Sequence, residues 1–98
     1  MAFQIRFARQ VRDHMKALSR REQEMVLDAI EDQLRYEPNV PTRNRKPLRP
    51  NLLAPWELRV ADLRILYDVD DAAKLVDILV VGRKVHASLL VAGKEVKL

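Results

Sequence analysis

The stretch KPLRPNLLAPWELRVADLRILYD, residues 46–68, decides the fold. It opens as a proline-broken basic segment with no acid before Glu57. Trp56, Leu58 and Val60 then alternate with Glu57 and Arg59, the period of a strand with one buried and one wetter face. Ala61-Asp62 reads as a tight turn, Arg64 to Val69 as the returning strand, and Asp70-Asp71 as its end. Strands joined by so short a turn are antiparallel neighbours. The stretch holds the only Trp and one of the two Tyr, and Trp56 and Tyr67 are expected in the core. Four cations gather around its start: Arg43, Arg45, Lys46 and Arg49. So much like charge in a stiff loop does little for folding and suits a polyanionic partner.

Toward the N-terminus, Phe3, Ile5 and Phe7 alternate with Gln4 and Arg6, which predicts a first strand. Val11, Met15 and Leu18 recur at helical spacing and predict a short amphipathic helix over residues 8–17. Ser19-Arg20-Arg21-Glu22 is a capping box, in which hydroxyl and carboxylate satisfy orphan amides at a new helix start. Val26, Ile30 and Leu34, supported by Leu27, form the apolar stripe of that second helix, and Pro38 stops it. The two helices therefore form an antiparallel hairpin joined at Leu18-Ser19. Residues 38–55 hold all 5 prolines and are expected to be an extended loop.

Toward the C-terminus, Leu75 to Val81 is apolar apart from Asp77, as in a central strand, and Gly82 is expected to break it. Gly93-Lys94 between Val91 and Val96 suits a hairpin turn, with a short helix near Ala87–Leu90 as the alternative. The expected architecture is α+β: an N-terminal strand, then a helical hairpin packed on one face of an antiparallel sheet of four or more strands. Residues 1–98 are expected to be one domain, with the opposite sheet face left for function.

An apolar fraction of 48% is that of a folded chain, and no run reaches the roughly 18 apolar residues of a membrane span. The N-terminus lacks a signal-peptide core, and the absence of cysteine fits a reducing cytoplasm while excluding disulfides and thiol chemistry. With only His14 and His86, no histidine-rich metal site can form; no metal or cofactor is expected, and His14 reads as a surface residue. The net charge of +4 is unevenly spread. Residues 1–21 carry six cations against Asp13, whereas residues 22–37 carry six acids against Arg35. Basic segments at 39–50 and 82–98 complete a dipolar pattern that steers toward phosphate.

With these elements in this order, KPLRPNLLAPWELRVADLRILYDVD (46–70) and ILVVGRK (78–84) resemble the RelE/ParE superfamily of type II toxin–antitoxin toxins. The resemblance covers residues 3–86 and is strongest over 46–84. It implies a toxin neutralised by a cognate antitoxin, and many such toxins enter the ribosome and cut mRNA without a metal. Two other readings stay open: a ParE-like toxin that binds and inhibits DNA gyrase, and a decayed member that only binds antitoxin or RNA. Under the ribonuclease reading, Arg64 stands where that branch keeps a phosphate-stabilising arginine, and Arg59, Lys84 and His86 complete the catalytic candidates. Arg43, Arg45, Lys46, Arg49 and Arg83 are the nucleic-acid-binding candidates. Arg59 has a purely structural alternative, pairing with Glu57 or Asp68 across strands. The chain also departs from its relatives. Pro55 and Glu57 stand where the RelE branch has lysines, Lys46 where the YoeB branch has an acid, and Leu90 near the position of a catalytic tyrosine. Glu57, beside the arginines, is a further candidate base.

Overall fold

A computed structural model describes residues 2–97; residues 1 and 98, the ends of the expected domain, lie outside the described residues. The elements run β1 (Gln4–Phe7), α1 (Val11–Lys16), α2 (Arg20–Leu34), β2 (Arg45–Pro47), β3 (Trp56–Val60), β4 (Leu63–Asp70), β5 (Leu75–Val85), β6 (Ser88–Val91) and β7 (Lys94–Val96). The sheet follows the order β2-β3-β4-β5-β6-β7, with antiparallel neighbours along this path. Strand β1 lies off the path and pairs with β5 in parallel, so the sheet is not wholly antiparallel. That pairing explains the one charge in the apolar run of β5: Asp77 stands opposite Arg6 and accepts two bonds from its guanidinium, at 2.6 and 3.0 Å.

Strand β5 has β4 along one side and shares its other side between β1, at residues 75–78, and β6, at residues 83–85. Helix α1 fills the gap between them. The Ala8 amide donates to Ile78 O (2.9 Å), the Gln10 side chain donates to Leu79 O (3.1 Å), and the Val81 amide donates to His14 Nδ1 (3.2 Å). His14 is thus half-buried and structural, not a surface residue. The helix is shorter than the expected 8–17 because residues 9–10 form the turn that brings it onto the sheet.

A bulge changes the phase of β5. Leu66 faces Val80 but Tyr67 faces Ile78, leaving Leu79 as the extra residue. Val76 and Ile78 lie in the core under the helices, and so does Val81; Leu79 and Val80 both pack on the other side. Residues beyond the bulge therefore alternate in the opposite sense from those before it.

The main core joins Val11, Val26, Ile30 and Leu34 to Leu58, Leu63, Ile65, Tyr67, Val76 and Ile78. Full burial of each such side chain stabilises by about 1.5–3 kcal/mol, more than any exposed ion pair of this molecule. Tyr67 donates to Pro38 O (2.7 Å) and stacks on Trp56 with ring centroids 6.1 Å apart, and burial pushes its phenol well above the usual value. The expected capping box is present at Ser19 and Glu22. Leu27 does not join the core but stands 45% exposed beside Phe7.

The second sheet face has its own smaller core of Ala54, Leu66, Val80, Leu89 and Val91, so it is partly roofed by the 48–54 loop and the β6–β7 hairpin. Three further expectations are corrected. The 38–55 segment is not all loop: Arg45–Pro47 forms an edge strand against β3, an edge being where proline is tolerated. Gly82 does not break β5; a Cβ there would lie 2.6 Å from Leu90 O and 2.9 Å from Val91 Cγ2, so glycine permits the close approach of β6. The C-terminal turn is Ala92-Gly93, both at positive φ, with Lys94 already in β7; residues 88–91 are a strand, not a helix.

Replacing His14 with Ala leaves the Val81 amide unpaired and is expected to cost about 1 kcal/mol or more. Burial holds the His14 imidazole below its ordinary 6.5, because the folded state favours the neutral ring. The unfolded chain then binds more protons, so this contribution is present above pH 6.5 and is lost as pH falls through the lower folded value. Urea unfolding at pH 8 and pH 5 checks this: His14→Asn, which keeps an acceptor but does not titrate, flattens that part of the pH dependence.

Candidate nucleic-acid interface on the second sheet face

The register places the charged residues in rows across this face. Arg59, Arg64 and Gly82 lie side by side on β3, β4 and β5. One step along, Lys46, Glu57, Leu66 and Val80 form the next row. Lys84 follows Gly82 by two residues and so shares its face, at the end of the sheet where its own amide donates to Asp62 O (2.7 Å).

Arg64 is only 9% exposed and is held by the main chain: its Nη1 donates to Ala61 O (2.9 Å) and Leu63 O (2.8 Å). The turn makes this possible, since Ala61 at φ 54° doubles the chain back beneath the guanidinium. Glu57, 6% exposed, lies between two cations, its Oε1 3.8 Å from Arg64 Nε and 3.9 Å from Lys46 Nζ. Both separations exceed hydrogen-bond length. Arg59 is exposed and pairs with neither Glu57 nor Asp68; it stands directly opposite Arg64. Like charges so placed repel, an arrangement that an anion relieves.

Arg83 lies on the helix side. Its guanidinium donates to Glu22 (2.6 Å) and Asp62 (2.8 Å), which ties the start of α2 to the β3–β4 turn. Glu22 is held below the usual carboxylate range by the Ser19 amide and by Arg83. The acidic helix thus meets one of the basic segments. Arg45 is also occupied, donating to Gln33 O and to Val40 O (3.1 Å), and it fastens the loop to α2. Arg43, Lys46 and Arg49 project from the surface. His86 sits exposed in the β5–β6 turn at φ 54°, a left-handed conformation that histidine tolerates better than most residues.

The sequence offered no sign that Asn51 organises the basic loop. Its side chain donates to Arg49 O and Ala54 O and accepts from the Leu53 and Ala54 amides, holding the segment around Arg49 rigid. Among the described residues no three His, Asp or Glu side chains converge closely enough to hold a metal ion. The face offers one anchored cation, Arg64, with Arg59 exposed opposite it, one carboxylate beside them, and a lysine at its rim.

No family model matches the chain, and no curated protein does. Among solved structures it is similar to a chain of the toxin–antitoxin complex RelBE2 from Mycobacterium tuberculosis. That pair shares 30% identity over 86% of this chain and 100% of the other, with a TM-score of 0.74. A chain of the archaeal RelE–RelB complex from Pyrococcus horikoshii shares the fold, at 24% identity over 89% and 100% of the two chains and a TM-score of 0.71.

The two kinds of arginine are separable by experiment. Arg83→Gln is expected to lower stability by up to about 1 kcal/mol and to leave affinity for single-stranded RNA unchanged. Arg59→Gln is expected to keep stability and to reduce the slope of log affinity against log salt by about 0.7. Urea unfolding and RNA fluorescence anisotropy across a potassium chloride series measure both.

Proposed function

The chain belongs to the RelE family of type II toxins, and from that premise we propose that it cuts ribosome-bound mRNA in the cytoplasm without a metal. The observation that carries this reading is Arg64, a permanently charged fork fixed by two main-chain carbonyls beside Arg59. RNA cleavage by its own 2′-hydroxyl needs charge stabilised on the attacked phosphate, and a planar guanidinium grips phosphate oxygens in two places without ever losing its charge. Preorganisation matters as much as charge. A guanidinium already anchored reorganises little when the phosphate becomes more negative. Lys84, at the rim of the same face, returns a proton to the leaving oxygen, with His86 beyond it as a second proton carrier. Arg43, Lys46 and Arg49 position the RNA backbone through charge alone.

A cognate antitoxin is the expected partner, since both similar chains come from complexes with RelB. A groove of about 410 Å³ lined by Phe7, Val11, Met15 and Leu27 and edged by Arg9 and Arg12 suits an apolar antitoxin segment that carries acids. Leu90, on the helix side opposite Arg83 and unable to transfer a proton, favours a second reading: a toxin that binds DNA gyrase and performs no chemistry.

Brief expression followed by 5′-end mapping of transcripts tests the proposal. Wild type is expected to produce cuts within translated codons, and Arg64→Ala to reduce them on the order of 100-fold. Lys84→Ala is expected to reduce them less. Growth arrest with DNA damage and intact transcripts would decide for gyrase.

A further inference from the structure

We propose that Glu57 is the general base of this reaction, taking the proton of the ribose 2′-hydroxyl; the inference rests on the ribonuclease reading above. Its backbone is fixed in the middle of β3, between Lys46 on one side and Leu66 on the other. Its side chain is only 6% exposed, yet among the described residues no donor makes a hydrogen bond to its carboxylate. No side-chain oxygen fully shielded from solvent lacks a partner among those residues, so the Glu57 oxygens reach the surface. A carboxylate in a strand, nearly enclosed, with open lone pairs, calls for an explanation.

Service as the counter-ion that aims Arg64 does not supply one. Arg64 is aimed by Ala61 O and Leu63 O, whereas its Nε stays 3.8 Å from Glu57. The surroundings instead suit a base that must work beside a phosphodiester. An isolated carboxylate would repel that anion; here Lys46, Arg64 and Arg59 outnumber it and keep the local charge positive. A phosphate held by Arg64 and Arg59 sits one row from Glu57 on the same face, so the adjoining ribose hydroxyl falls within reach of its oxygens. His86 lacks this placement, lying in an exposed turn beyond Lys84.

The step balances within these residues. Glu57 takes the 2′-hydroxyl proton as O2′ forms its bond to phosphorus. The bond from phosphorus to the 5′-oxygen breaks with its electron pair, and that oxygen takes a proton from the Lys84 ammonium. The products are a 2′,3′-cyclic phosphate and a 5′-hydroxyl, after which Glu57 releases and Lys84 regains a proton from water.

Single-turnover cleavage of mRNA on programmed ribosomes, with ribosome binding and melting temperature measured in parallel, tests the assignment on wild type, Glu57→Gln and Glu57→Asp. Glu57→Gln is expected to cleave on the order of 100-fold or more slowly while binding ribosomes as tightly or tighter, and Glu57→Asp to retain more activity than Glu57→Gln. Cleavage by Glu57→Gln within about threefold of wild type overturns the assignment. So does a loss of binding and melting temperature with an unchanged rate at saturation, the signature of a counter-ion. Should Glu57→Gln fail to fold, Glu57→Asp decides, and a wild-type rate there overturns it. Wild type that leaves mRNA whole sinks the ribonuclease reading itself, a result distinct from wild type and Glu57→Gln cutting alike.

Discussion

The fold depends on satisfying both edges of one long strand. Strand β5 runs from Leu75 to Val85 and pairs with three others, β1, β4 and β6. Its β4 side is paired from Leu75 to Arg83 apart from the bulge at Leu79, but its other side changes partner from parallel β1 to antiparallel β6. A change of partner leaves backbone groups unpaired, and buried unpaired groups are costly. Gln10 and His14 close that gap with one donor and one acceptor. The short helix α1 is therefore a clasp as much as a layer of the core. This is why a six-residue helix, marginal by itself, has a defined place.

The same strand sets the chemistry of the second face. Without the bulge at Leu79, strict alternation from Ile78 would turn residues 81 and 83 toward the second face and residues 82 and 84 toward the helices. The extra residue reverses this. Arg83 turns to Glu22 and Asp62, and Lys84 joins Arg59 and Arg64. Gly82, bare of a side chain, lets β6 close over the sheet beside Arg64. One irregularity thus separates a structural cation from a candidate catalytic one at adjacent positions.

Charge on the second face is organised by the backbone more than by ion pairs. Arg64 takes its orientation from carbonyls at a tight turn, Asn51 stiffens the basic loop, and Glu57 meets its cations without hydrogen bonds. Cations fixed in this way remain available to a ligand, in contrast to Arg83 and Arg45, whose donors are already engaged. Arrangements of this kind bind a phosphate with little reorganisation.

By itself the sequence determined the strand–turn–strand at residues 56–70, the capping box at Ser19, the apolar stripe of α2 and the family resemblance. Each of these is written in local periodicity or in a contiguous motif, so near neighbours suffice to read it. What only the tertiary structure decided was which cation faces where. A nearly continuous apolar run such as Leu75–Val81 carries no phase, so a bulge within it is invisible until β4 and β1 are laid alongside. The edge strand at Arg45–Pro47, the role of His14, the close approach at Gly82 and the open carboxylate of Glu57 share that origin. All depend on partners far away in the chain, and a pattern read along one strand does not contain the strand beside it.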